Sequence, residues 1–308
     1  MDNKELKILF IGDIFGTPGI KMVEKHLSKL KSEYAVDVVI AQGENVSGRK
    51  GLDQKDYLRL KKAGVDIITL GNHVWAKSDI LNIINNPDLV RPANIDAGYP
   101  GKGSQIYTLK NGVTLRVTSL MGITFNKLLK PWTQEVANSF FDAIDSIRQY
   151  QQKTDFHFID FHAETTSEKY VLGLYLDGLV DAVCGTHTHV QTNDAHTLPN
   201  GTCFISDAGM TGPYNSAIGA NFEEVYRHMR FDEKILFATS NNPCQFNGVF
   251  LHLNTDKRKI KLFPLLYFPN SKKSETARFF LCYYKTGFLA AVKLCIFIVI
   301  KYFYKFSN

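Results

Sequence analysis

Cysteine is scarce in this 308-residue sequence: five residues, at positions 184, 203, 244, 282 and 295, with no CxxC pair among them. An odd count without paired spacing argues against a closed disulfide framework and fits a reducing compartment. No G-x-G-x-x-G run occurs either. The glycines of "GDIFGTPG" fall at 12, 16 and 19, and no GK[ST] appears, which leaves neither a dinucleotide fingerprint nor a P-loop. The opening "MDNKELKILFIGD" closes its apolar run at Gly12 and Asp13, too soon for a signal peptide, so a cytoplasmic protein is expected. Charge of one sign is also missing from most of the chain. The net charge is +6, and residues 271–308 alone hold six Lys, one Arg and one Glu, so residues 1–270 balance. A neutral body offers no electrostatic footprint for a long nucleic acid.

Residues 271–308 break the character of the rest. From Phe279 to Phe306 the chain is aromatic and aliphatic, carries Lys285, Lys293, Lys301 and Lys305, and has no acidic residue. Its longest apolar stretch, Phe288 to Ile300, is thirteen residues interrupted by Lys293, whereas a membrane span wants roughly 20. Spanning is marginal. A helix lying weakly on a membrane surface and a non-native extension explain the composition equally well.

Residues 1–270 read as one α/β domain with neither internal repeat nor low-complexity linker. Short β-rich runs, "KILFI", "VDVVIA" and "DIITL", alternate with helical patterns, which predicts helices covering a largely parallel sheet. Thr17 and Pro18 read as N-cap and first turn of a helix whose Ile20, Val23, Leu27 and Leu30 share one face. A second helix should run from Asp53 to Gly64, and a third over about 135–151. Asn111-Gly112 between "IYTLK" and "TLRVTSL" predicts a hairpin. "FHFIDF", "DAVCG", "CFISD", "GVFLHL" and "KIKLFPLL" complete the strands, with a helix through "SEKYVLGLYLDG".

In open α/β sheets, ligands bind beyond the carboxyl ends of strands. Five such ends here deliver residues able to bind a metal or move a proton: Asp13; Glu44 and Asn45; Asn72 and His73; His162; His187 and His189. The last pair belongs to "GTHTHV". In extended backbone, residues two apart point to the same side, so both rings would reach one place. Taken singly, each member has an ordinary explanation: Asp13 at a helix start, Glu44, Asn45 and Asn72 in turns, His73 and His162 in the core, the HxH histidines in solvated turns. Their coincidence at five strand ends favours a site. Oxygen and nitrogen ligands without cysteine suit Fe, Mn or Zn rather than a thiolate structural zinc. An Asp, a Glu, an Asn and three His make six ligands, too many for one open site and suited to two metals sharing a carboxylate. Two metals about 3.5–4 Å apart can hold a hydroxide between them and clamp a phosphoryl centre.

The ordered blocks "GD", "GEN", "GNH", "FHAE" and "GTHTH" resemble the calcineurin-like metallophosphoesterases. "RPAN" at 91–94, "HAETTSEK" at 162–169, "GTHTHVQT" at 185–192 and "DAGMTGPY" at 207–214 resemble, more narrowly, the bacterial YmdB-like cyclic-nucleotide phosphodiesterases. The resemblance implies a sandwich of mixed, largely parallel sheets flanked by helices. It also implies that Asp13 and His189 hold one metal, Asn72, His162 and His187 the other, and that Glu44 bridges. Asn45 would lie beside the first metal and His73 would serve as acid. The implied substrate is a small 2′,3′- or 3′,5′-cyclic nucleotide. Phe15, Glu44 and Val74 depart from the broad superfamily, the first two as the narrower branch does, and Ala76 departs from that branch. A phosphomonoesterase or nuclease on the same site, and a nucleotide- or RNA-binding scaffold with little turnover, are the rival functions. A homo-oligomer is compatible with this composition.

Overall fold

The computed structural model describes residues 3–256 and, as backbone, 261–267. Met1–Leu265 forms one compact unit. The segment 271–308, with its expected surface association, lies outside the described residues.

In chain order the elements are β1 (Glu5–Ile11), β2 (Asp13–Ile14), α1 (Gly16–Tyr34), β3 (Val38–Gln42), α2 (Gln54–Ala63), β4 (Ile67–Thr69), a 3-10 turn (Ser78–Asn82) and β5 (Leu89–Val90). There follow β6 (Ser104–Thr108), β7 (Thr114–Met121), α3 (Phe140–Tyr150), β8 (Phe156–His162), α4 (Thr166–Tyr175) and β9 (Ala182–Thr186). The last are β10 (His196–Thr197), β11 (Cys203–Ile205), β12 (Met210–Pro213), α5 (Phe222–Phe231), β13 (Cys244–Asn254) and β14 (Lys261–Tyr267). One sheet runs β2-β12-β13-β1-β3-β4-β5, with β14 beside β13; the other runs β10-β11-β9-β8-β7-β6. The central pairs β1–β3, β3–β4, β7–β8, β8–β9 and β9–β11 are parallel, whereas β13 lies antiparallel to β1 and β6 antiparallel to β7.

The two sheets face each other across a core built by strand alternation. Leu6, Ile8 and Phe10 of β1 and Val38 and Ile40 of β3 meet Leu115, Val117, Phe156, Phe158, Ala182 and Cys184 of the other sheet. Phe10 and Phe158 touch across it, ring centroids 4.9 Å apart. The opposite sides of the same strands are apolar too. Ile159, Phe161, Val183 and Phe204 pack with Phe140, Ile144 and Ile147 of α3 and Leu172 of α4. Strands buried on both faces are apolar on both, which is why "FHFIDFH" has Phe156 and Phe158 toward one side, Ile159 and Phe161 toward the other, and no regular polar alternation.

Several element ends differ from the sequence pattern. Helix α1 begins at Gly16, with Phe15 in the cap position and no side-chain cap; Thr17 and Pro18 fall inside its first turn. Gly16 has φ +59°, a left-handed conformation that turns the chain from β2 straight into the helix. Helix α3 starts at Phe140 with the Ser139 side chain accepting from Asp142 N, not near 135. Residues 122–139 instead form a loop, tied to Asn94 through hydrogen bonds with Met121 and Asn138. Helix α2 sits between its expected Asp53 cap and Gly64 stop, and Gly112 supplies the positive φ of the hairpin turn.

Candidate metal centre

Every residue singled out in the sequence lies at the carboxyl ends of the parallel strands or in the loops just beyond. Glu44 and Asn45 follow β3, Asn72 and His73 follow β4, His162 ends β8, and His187 and His189 follow β9. Asp13 opens the short strand β2. Asp13, Glu44, Asn45, His162 and His189 are buried; Asn72, His73 and His187 are half-buried. Gly71 is required at the site: a Cβ there would collide with the His162 ring.

His162 is the hub. Its Nε2 lies 2.9 Å from Asn72 Oδ1, 2.9 Å from His187 Nδ1 and 3.0 Å from Glu44 Oε1. The far nitrogen of His187, Nε2, is 3.0 Å from the Glu164 carboxylate, which favours the ring hydrogen on Nε2 and a bare lone pair on Nδ1. Four lone-pair atoms therefore converge with at most one hydrogen to share, on His162 Nε2. A cation satisfies all four where hydrogen bonds cannot. Glu44, His162 and His187 offer ligand atoms all within 4.8 Å of one another, a group able to hold a metal ion.

A second group adjoins the first. His189 Nδ1 donates to the Ile218 carbonyl at 2.9 Å, so its Nε2 lone pair faces Asp13 Oδ1 at 3.7 Å. The Asn45 side-chain NH₂ sits among them, 3.5 Å from Asp13 Oδ1, 3.4 Å from Glu44 Oε1 and 3.3 Å from His189 Nε2. In this orientation Asn45 presents a donor inward rather than its oxygen. Glu44 touches both groups, and its Oε2 accepts from the His73 backbone amide at 2.7 Å.

The two HxH histidines reach the site by a different route from simple alternation. β9 ends at Thr186, and His187 and His189 have φ +102° and +66°. Left-handed backbone at two non-glycine residues costs about 1–3 kcal/mol each and persists only where the surroundings impose it. The rings consequently diverge, His187 to the Glu44–His162 group and His189 to Asp13. The His187 amide also donates to Asp13 Oδ2 at 3.1 Å, tying the loop to the opposite sheet.

Burial sets the charge states. It pulls His73 and His162 down to about 4 and His187 to about 3, and it raises Asp13. Neutral imidazole with a free lone pair is the ligating form, so these rings are ready for a metal at neutral pH.

Supporting residues escaped the sequence reading. Gln42 accepts from the Glu44 amide with Oε1 and places Nε2 3.1 Å from His162 Nδ1. Asp160 accepts from the Thr186 hydroxyl at 2.6 Å and from Thr69 at 2.5 Å, and Thr186 Oγ1 also lies 2.9 Å from His162 Nδ1. Such outer partners orient ligating histidines. Buried polar residues inside apolar strand runs, Gln42 in "VVIAQ" and Asp160 in "FHFIDFH", were the signal available for them.

Fold and site together define a phosphoester hydrolase with a metallophosphoesterase-type sandwich. The chain belongs to the YmdB-like family, whose sequence model, described as "YmdB-like protein", matches residues 9–263. It is 42% identical over 255 residues to the "2′,3′-cyclic-nucleotide 2′-phosphodiesterase" of Bacillus subtilis (strain 168), covering 82% of this chain and 94% of that protein. A crystal structure described as a novel phosphatase of Mycoplasma pneumoniae superposes with a TM-score of 0.79 at 36% identity, covering 87% of this chain and 95% of that one. The 5′-nucleotidase precursor of Thermus thermophilus shares the fold alone, with a TM-score of 0.52, 10% identity, and coverage of 86% of this chain and 55% of that one. The chain is accordingly an enzyme of the phosphodiesterase and phosphatase class. Among the described residues, no helix is long and apolar enough to cross a membrane.

Proposed function

We propose that the protein hydrolyses small cyclic nucleotides at a dinuclear metal site, with Fe or Mn as the favoured metals and Zn as an alternative. The observation that carries this reading is the convergence of Glu44, Asn72 and His187 on His162 Nε2, beside Asp13 and His189. Asp13 and His189 would hold one metal, Asn72, His162 and His187 the other, with Glu44 touching both and Asn45 alongside. Once bound, the metals would neutralise charge on the phosphodiester oxygens and lower the pKa of a water so that it attacks phosphorus as hydroxide.

The chain's own groups do the rest. Attack forms one P–O bond and breaks one ester P–O bond, so the leaving ribose oxygen needs a proton. In this reading His73 assists that oxygen. Asn72 directs Oδ1 to His162 and Nδ2 to His73 Nδ1, 3.4 Å away, which puts the His73 hydrogen on Nε2. Burial holds the ring at about 4, so at pH 7 it is neutral and would donate a hydrogen bond from Nε2 to the leaving oxygen, stabilising its charge until solvent water supplies the proton.

The substrate class rests on the name of the Bacillus relative and on the neutral charge of residues 1–270, which suits a small ligand better than a polyanion. Residues 1–270 form the proposed catalytic domain, in the cytoplasm, and 271–308 a surface-associating appendage or a non-native extension. The test is a substrate panel on metal-loaded protein. Adenosine 2′,3′- and 3′,5′-cyclic phosphates, bis-p-nitrophenyl phosphate, p-nitrophenyl phosphate and a short RNA separate phosphodiesterase from phosphomonoesterase and nuclease. Turnover of a cyclic phosphate above the monoester is expected. Binding of nucleotide without turnover of any of them would favour the scaffold and contradict the proposal.

A further inference from the structure

Lys169 and Asp207 form an ion pair far from solvent, each side chain 1% exposed, with Nζ donating to Oδ2 at 2.9 Å. They come from "HAETTSEK" and "DAGMTGPY", and the hydrolytic chemistry leaves the role of both residues open. Burying two charges is costly unless every remaining donor and acceptor is met, so the other partners of the pair show what it is for.

Asp207 Oδ2 also accepts from the Thr188 amide at 3.1 Å and the Thr188 hydroxyl at 2.8 Å, and Oδ1 accepts from the Gly209 amide at 2.8 Å. Thr192 closes the wrap. Its amide donates to the Asp207 carbonyl at 3.1 Å, and its hydroxyl accepts from the Asp207 amide at 2.9 Å. Both ends of the 188–192 turn are thus fastened to one residue. Thr188 is the residue between His187 and His189, the two with left-handed backbone. The lysine is threaded to its partner past Gly185, where an added Cβ would lie 3.0 Å from Lys169 Cδ and would collide with the Ser206 carbonyl.

We propose that Asp207, charge-balanced by Lys169, is the positioning residue that holds Thr188 so that His187 turns toward Glu44 and His162 while His189 turns toward Asp13. One buried carboxylate then sets two metal ligands, one for each half of the centre. This rests on the metal-centre reading above. The alternative is that the pair only knits α4 to the end of β11.

The experiment measures Mn²⁺ affinity of chelator-stripped protein, with thermal unfolding of the same samples. Asp207→Asn keeps the shape but weakens the acceptor; Thr188→Val removes only the hydroxyl at a half-buried site; Thr188→Ser restores it. Outer-sphere losses run about 10- to 100-fold in metal affinity, so Asp207→Asn should fall in that range, Thr188→Val near about tenfold, and Thr188→Ser within about threefold of wild type. The stripped Thr188→Val protein should unfold within about 3 °C of wild type, as a surface change does. Wild-type affinity in Thr188→Val, or a loss that Thr188→Ser does not restore, overturns the positioning role while leaving the metal centre intact. Failure of the wild type itself to take up Mn²⁺ removes both.

Discussion

His73 adjoins Asn72, the proposed ligand, and its ring lies 3.4 Å from the Asn72 side chain while its backbone amide donates to Glu44. His73→Ala should retain metal and lose roughly 10²–10³ in turnover, the usual contribution of one hydrogen-bond donor to developing negative charge, with a smaller loss on p-nitrophenyl esters whose leaving oxygen needs less help. Metal analysis beside the rate decides it: loss of metal would make His73 a ligand. Where the singled-out residues gather was the most legible part of the sequence. All eight residues from Asp13 to His189 gather at one edge of the sandwich, because strand ends in a parallel sheet share an edge whatever the intervening loops do. The geometry of "GTHTH" was not legible, since alternation stops at Thr186 and the following backbone is set by Asp207, which lies 19 residues beyond Thr188. Glu164 was quoted within "FHAE" but not singled out as a site residue; its contact with His187 depends on that same loop.

Strands survive translation from sequence better than helix ends do. "FHFIDFH" is buried on both faces, so its apolar content alone marks a central strand, and Phe158 fills the space between the sheets against Phe10. Phe158→Ala should cost about 3–5 kcal/mol, measured by denaturant unfolding of the stripped protein. A loss below about 1 kcal/mol would show that the sheets close over the gap. Short strands such as β2, β5 and β12 gave no pattern, because two to four residues hold too few alternations to see. The start of α1 was misplaced since Gly16, not a side-chain cap, begins it. Helix α5 escaped notice although amphipathic: among its residues none is buried, so its existence depends on local turns rather than on the core.

For the molecule as a whole, the site's burial has a pH signature. His73 and His162 are held at about 4, His157 and His187 at about 3, and Asp160 is pushed up to about 8, with Asp13 also raised. Between about pH 4 and 6.5 the unfolded chain binds protons at four histidines that the native state leaves neutral, outnumbering the single proton that the native state keeps on Asp160, so stability rises with pH. Between about 6.5 and 8 the retained proton on Asp160 reverses the sign, and stability falls. Thermal unfolding of stripped protein should therefore peak near pH 6.5; a monotonic profile would show that burial does not govern these groups. Removing 271–308 should leave metal content and phosphodiester hydrolysis within about twofold, since a domain carries its own core; loss of either would place the proposed boundary wrongly. The central claim is one site made of two metals joined at Glu44. Elemental analysis of purified wild type beside Glu44→Gln tests it most directly: close to two transition-metal ions per chain in the wild type, both diminished in Glu44→Gln. A fully loaded, folded wild type with a single metal ion per chain would contradict it.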